Sequence, residues 1–407
     1  MLLITACDNY THNSITNTDP ANYVNLELTK SFGGTGDDWG EDLYLTPEYD
    51  CYIVGETESF GYGASNTYVI KVDINNELQW QKYYGGFGED VALAVKSADD
   101  SCFFILGYTT SFNITTGKKV DPAADPFFKF DDFNFYLIKT NQEGITFWEK
   151  PYGTPATDEY GNSLEIVDDG IIMAGYASGA TGNNIYLNKT DFDGNLIWSS
   201  LIETEGSQIA EAITTCADGN FVLGGSTKAT SSADENAYLI KVSSGGDPLW
   251  EFTFGLGNMD EGLNSIISTS DGVIGAGYLK VDGDENLNDG ILLLLKVDLS
   301  GELVWKYSYV TVKGSETSCL EQSSNGDFIV VTNNFATDET TFSKFDSDGQ
   351  LLWTQKKGKG AGRSIKHRPN DPSDRYIMTG LSSNPSFTTN VNASYIIVSE
   401  DLTNIEL

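Results

Sequence analysis

One pattern governs what this chain can fold into. The run Tyr68-Val-Ile-Lys71 leading to Trp80 recurs as Tyr136 to Trp148, Tyr186 to Trp198, Tyr238 to Trp250, Leu293 to Trp305 and Phe342 to Trp353. Six of the seven tryptophans therefore share one repeat position, at spacings of 68, 50, 52, 55 and 48 residues. A second pattern opens each unit: an acidic pair, then an apolar run ending in a shared glycine. Examples are Asp37-Asp38 to Gly55, Glu89-Asp90 to Gly107, Asp158-Glu159 to Gly175 and Asp260-Glu261 to Gly277. Weaker copies begin near Ser207, Ser315 and Gly362, which makes seven units.

Each unit reads as four strands, a to d. Asp169-Gly170, Asp218-Gly219, Asp271-Gly272 and Asn325-Gly326 join a to b; Asp193-Gly194, Ser300-Gly301 and Asp348-Gly349 join c to d. Asp-Gly or Asn-Gly between alternating runs is a strong hairpin signal. Four antiparallel strands repeated seven times predict an all-β, seven-bladed β-propeller. The ends support a closed ring. The last c strand, Tyr395-Ile-Ile-Val398, is followed by no tryptophan, while the run from Asn25 to Gly34 matches Glu77 to Gly86. Residues 24–32 are therefore expected to complete the last blade, which removes two sheet edges. The expected organisation is a tether over 1–22 and one propeller domain over 23–407.

Composition narrows function. The formal charge is −35, with 59 acidic against 24 basic residues. Such a chain repels nucleic-acid phosphates and anionic membrane surfaces. With 40% hydrophobic residues it can still build a large core. No run of 18 apolar residues exists to span a bilayer as a helix. His12 and His367 have no third partner in the sequence, which argues against histidine metal sites and Ser-His or Cys-His chemistry. Cys51, Cys102, Cys216 and Cys319 show no metal spacing and read as small buried hydrophobes, with a disulfide between neighbouring strands left open.

Ile4-Thr5-Ala6-Cys7 resembles a bacterial lipobox, which implies lipidation at Cys7. Asp8 to Asn22, polar and holding Pro20, reads as a flexible tether. The repeat units resemble the Gly/Asp-rich propeller repeats of Gram-negative extracytoplasmic lipoproteins. The turn from Asp191 to Trp198 is also similar to the blades of quinoprotein-like propellers, though no quinone site is evident. This resemblance implies a lipid-anchored protein of the outer membrane or cell surface.

Four features are candidate sites. The acidic pairs could hold Ca²⁺ at a channel mouth, but their periodic recurrence favours a turn role. Asp282, Asp284, Asn286 and Asn288 begin like an EF-hand loop, yet Leu287 stands where glycine and Leu293 where glutamate belongs. The blade 2 insertion, Asn113 to Asn134, gathers Phe127, Phe128, Phe130 and Phe133, a candidate partner surface. The recurring lysines (Lys71, Lys139, Lys189, Lys241, Lys296, Lys344) read as partners of nearby acids, and the tryptophans as blade core. Because the acids obey the repeat, the leading expectation is a non-enzymatic scaffold within an envelope protein complex. The alternative is a surface propeller that binds or cleaves glycan with paired carboxylates.

Overall fold

The computed structural model describes Asn13–Ser14 and residues 24–400, apart from 100, 131, 156, 181, 205, 231–232, 282–288, 314, 335–338, 358–359, 370, 372–374 and 384–389. Seven four-stranded antiparallel sheets follow one another around a ring, a seven-bladed β-propeller. Blade 1 is Asp38–Leu45, Cys51–Thr57, Asn66–Val72 and Leu78–Tyr84, the strands a to d. Strand a lies innermost and strand d outermost in every blade. Blade 7 takes its outer strand from the other end of the chain: Val24–Phe32 pairs antiparallel with Val391–Glu400, Leu26 opposite Val398 and Phe32 opposite Ala393. The expected closure is thus present. Asn13–Ser14, read as tether, instead pairs in parallel with Tyr309–Val310 on the outer strand of blade 5.

Apolar side chains on both faces of each blade need partners, so the core is not one body but layers between neighbours. Phe103, Ile105 and Tyr136 of blade 2 meet Tyr52, Val54 and Val69 of blade 1. At the closing seam, Tyr395 and Ile397 pack with Leu43, Ile53 and Ile70. The tryptophans lie in these seams rather than inside single blades, as had been expected. Five are half-buried beneath the next blade's c–d turn, where a Cβ added at Gly144 would stand 2.9 Å from Trp80 and one at Gly194 2.9 Å from Trp148, while Trp353 is buried. Those two glycines have φ of 66° and 72°, so turn geometry and close packing demand glycine together.

The acidic pairs are structural. Asp90 is buried; it accepts bonds from Gly86 N at 2.8 Å, Ser111 Oγ at 2.7 Å and Thr109 Oγ1. Asp38 repeats this with Gly34 N, Ser59 Oγ and Thr57 Oγ1. The first acid of a pair reaches the preceding blade: Asp37 accepts from Val391 N, Asp158 from Phe133 N and Asp260 from Glu235 N. In blade 5 the hydroxyls are missing, since Leu279 stands where blade 1 has Thr57. Glu261 is fully buried there, and burial pushes its carboxyl up to about 8, with Asp260 and Asp234 adding to the rise.

The recurring lysines pair as expected: Lys71 with Asp50 at 3.0 Å, Lys189 with Asp169 at 2.7 Å, Lys241 with Asp218 at 2.7 Å, Lys296 with Asp271 at 2.8 Å and Lys344 with Asp327 at 3.9 Å. Lys139 differs, donating to Phe192 O at 2.9 Å over the Phe104 ring. Cys51, Cys102, Cys216 and Cys319 are all free thiols.

The shared glycine has a steric cause. A Cβ on Gly107 would lie 1.9 Å from Val91 O; the matching gaps are 2.0 Å at Gly55, 1.9 Å at Gly175 and 1.9 Å at Gly225. At that point strand a carries a β-bulge, between Gly40 and Asp42, Ala92 and Ala94, Gly161 and Ser163, and Ala210 and Ala212. The bulge drives the carbonyl onto strand b, and only glycine leaves room. Gly107→Ala should lower the urea midpoint, at or above the upper end of the ~1–3 kcal/mol typical of overpacking. Glu261→Gln addresses the buried acid. A carboxyl protonated in the fold but ionised when unfolded costs stability progressively between about pH 4.5 and pH 8. The variant should therefore gain on wild type as pH rises through that window, by on the order of 3 kcal/mol in denaturation at pH 8 relative to pH 4.5.

Candidate functional site

In six of the blades the bulge also places a side chain in the central channel. Strand a is the inner edge of each sheet, and its bulged residue pairs with nothing on strand b. These residues are Glu41, Leu93, Asn162, Glu211, Asn264 and Arg363, and they line a channel cavity of about 540 Å³. They do not repeat. Glu41 faces Arg363 Nε at 3.6 Å across the seam between the first and last blades. Burial raises its carboxyl, Arg363 opposes the shift, and Asp42 adds to it. Glu211 accepts from Asn162 Nδ2 at 3.1 Å. Enclosure in the channel pushes Glu211 up to about 7, helped by the neighbouring charge of Glu235.

Above the bulges, on the face built from the b–c and d–a connections, lies an aromatic wall. Phe133, Tyr160 and Tyr176 stack in series, with ring centroids 5.0 Å apart at each step and interplanar angles of 27° and 22°. Tyr108 meets Tyr160 edge-on at 5.1 Å. All four rings are only partly buried. Acids accompany them. Glu56, which follows the shared glycine of blade 1, is pushed up to about 7 by burial, against a bond from Ser65; Glu89, Glu58 and Glu41 add to the rise. Across the ring, Glu235 accepts from Ser226 Oγ at 2.5 Å and from Tyr278 Oη at 3.3 Å.

Below the bulges, towards the a–b hairpins, the charges are paired. Lys96 meets Glu165 at 2.5 Å and Lys366 meets Glu321 at 3.5 Å. Burial works to lower Lys366, but Glu321 and Asp42 outweigh it and hold it above its ordinary value. Asp42 accepts from Val95 N at 2.9 Å and Ser364 Oγ at 2.8 Å. The channel thus has an acidic and aromatic mouth at one end and ion pairs at the other.

The structure splits the blade 2 insertion in two. Phe112–Asn113 pairs with Lys118–Lys119, and Lys119 reaches Glu149 at 2.7 Å, so this half folds back onto its own blade. The other half stays outward: Phe127 is 91% exposed, and Phe128 and Phe130 pack edge-on at 5.1 Å. Phe133 leaves that group to join the mouth. Cys7 and the loop of Asp282, Asp284, Asn286 and Asn288 lie outside the described residues. The sequence reading missed the bulge residues altogether. Their signal was the one column next to a shared small residue in which aligned repeats disagree.

No known family profile matches this sequence, and no curated protein matches it. Solved structures share the fold. A PL25 ulvan lyase, described as a new family of polysaccharide lyase and bound to -[GlcA(1-4)Rha3S]-, is 10% identical with a TM-score of 0.55, over 89% of this chain and 95% of that one. A second structure of PL25 ulvan lyase is 9% identical with a TM-score of 0.54, at the same coverage. A quinoprotein alcohol dehydrogenase-like protein from Bacteroides thetaiotaomicron VPI-5482 is 10% identical with a TM-score of 0.47, over 80% of this chain and 67% of that one. At these identities the likeness is one of fold.

The coupling of Glu211 to Glu235 can be read directly. Carboxyl resonances of the labelled protein should show Glu211 titrating near pH 7, and Glu235→Gln should move that transition down, because a negative neighbour is removed while the amide still serves Ser226 and Tyr278. An unchanged Glu211 transition in Glu235→Gln would contradict the coupling.

Proposed function

We propose that this protein is a glycan-binding propeller held at the cell envelope by a lipid on Cys7, and that its mouth is the binding surface. The observation that carries the reading is the Phe133–Tyr160–Tyr176 stack beside Glu56, Glu89 and Glu211. Aromatic faces cover the apolar faces of sugar rings, and carboxyl groups take sugar hydroxyls; together they make a site for a polyhydroxylated ligand.

Charge sets the preference. The whole chain is at −35, against Arg363 in the channel and Lys280, whose Nζ lies 4.4 Å from the Tyr278 ring centroid. Uronic-acid or sulfated chains, such as the one bound by the PL25 lyase, are repelled, so the ligand is a neutral glycan. A binding role is favoured over cleavage because Glu41 already faces Arg363 and Glu211 already holds Asn162, leaving neither poised alone as a base.

Arrayed oligosaccharides should retain the full-length protein on neutral chains and not on anionic ones. Tyr160→Ala should weaken that retention about tenfold, or roughly 1.4 kcal/mol. Equal binding by wild type and Tyr160→Ala, or shortening of the bound chain over time, counts against the reading. Cys7→Ala should move the protein from the membrane fraction to the soluble one, and mass spectrometry of the N-terminal peptide should lose its acyl mass.

A protein-scaffold role rests on a separate observation, Phe127 held 91% exposed on the blade 2 insertion. Phe127→Asp should then abolish co-purification of a stoichiometric envelope partner while leaving glycan retention intact.

A further inference from the structure

Blade 3 departs from the repeat at its outer edge as well. The residue after the recurring tryptophan is Gln81 in blade 1, Glu149 in blade 2 and Glu251 in blade 4, but Ser199 in blade 3. In blades 1 and 2 this long side chain covers the sheet face and accepts the hydroxyl of the strand c tyrosine, Tyr68 Oη to Gln81 at 2.7 Å and Tyr136 Oη to Glu149. Serine is too short to do so. Two residues further along strand c from that tyrosine, blades 1, 2 and 4 have Ile70, Ile138 and Ile240; blade 3 has Asn188.

The missing side chain leaves a cavity of about 680 Å³ in the seam between blades 2 and 3, away from the channel mouth. That volume lies in the range of small-molecule sites. Its walls include Tyr152, Glu159, Tyr186, Asn188 and Leu201. Asn188 is fully buried: its Oδ1 accepts Ser199 Oγ at 2.5 Å, and its Nδ2 has no partner. Turning the amide over exchanges donor for acceptor and still leaves one atom unpaired. Glu159, also buried, lines the same cavity. Its Oε1 takes Thr154 N at 3.1 Å, Thr154 Oγ1 at 2.8 Å and Thr157 Oγ1 at 2.6 Å, while Oε2 takes nothing.

A buried polar atom without a partner is costly, and two on the wall of one open cavity define a place for a ligand that supplies both bonds. Among the described residues no lysine or arginine lines the cavity, and Glu159 and Glu203 do, which disfavours an anion. Tyr186 and Leu201 add apolar surface to the same cavity wall. We propose that the cavity between blades 2 and 3 binds a neutral sugar ring, with hydroxyls on the Asn188 amide and Glu159 Oε2 and its apolar face on Tyr186 and Leu201. The sugar-binding theme rests on the reading of the mouth, but the site is separate and fails separately.

The test uses full-length protein and the methyl glycosides of glucose, galactose, mannose, N-acetylglucosamine and glucuronic acid, followed by ligand-observed NMR and by soaked crystals. At least one neutral glycoside should bind, appear in density against Asn188, and compete with the other neutral ones. Ser199→Gln installs the residue of blade 1. It should weaken binding at least tenfold, hold or raise the melting temperature, and leave oligosaccharide retention at the mouth unchanged. Asn188→Ile provides the second variant and should act likewise. Binding of no neutral glycoside, equal binding by Ser199→Gln, an equally tight glucuronide, or sugar density only at the mouth would each overturn the proposal. Loss of binding at the mouth alone would overturn the other reading and leave this one standing.

Discussion

A carbonyl pressed against a glycine organises this propeller. In blade after blade the strand a carbonyl sits where the Cβ of the shared strand b residue would be, within about 2 Å of it at Gly55, Gly107, Gly175 and Gly225. That contact accompanies a bulge, and the bulge turns one residue out of the sheet. Everything distinctive about the channel follows. The same backbone device delivers Glu41 in blade 1, Leu93 in blade 2, Asn162 in blade 3 and Arg363 in blade 7. The fold thus holds geometry constant and lets chemistry vary, the division expected when sites are grafted on a scaffold.

Charge is distributed by the same logic. An excess of 35 negative charges would strain a compact body if the acids were free. Many are not. Asp38 and Asp90 are absorbed by hydroxyls and backbone amides at blade turns, and five recurring lysines each take an aspartate on the a–b hairpin. At one mouth, Glu56 and Glu211 are both pushed up to about 7. Acids near their own midpoint at neutral pH are partly uncharged, so the mouth is less forbidding to a neutral ligand than its composition suggests.

The blade count, strand order and ring closure were legible in the sequence because each is written seven times or matched end to end. Trp80 and its copies set the phase, and Asn25 to Gly34 declared itself an outer strand by resembling Glu77 to Gly86. The turn role of the acidic pairs was legible for the same reason. The site was not. A bulge residue carries no pattern of its own: Glu41, Leu93, Asn162 and Arg363 differ in size and charge. Phe133 read as a member of an inserted aromatic cluster, yet it belongs to the mouth, because pairing with Tyr160 depends on a neighbouring blade. The tryptophans misled in place only: a half-buried ring beneath the next blade's hairpin and a ring inside one blade leave the same periodicity.

The pairing of Val24–Phe32 with Val391–Glu400 has a consequence in time. A ribosome delivers the first of these strands long before the last. Until then, blade 1 lacks the neighbour that buries Leu43 and Ile53, and an outer strand waits with its backbone unpaired. Contacts spanning nearly the whole chain are slow to form, since their loop entropy is lost before they repay it. Maturation of this ring is therefore all-or-nothing at its final step, and a nascent chain needs protection against pairing its waiting strand with another copy.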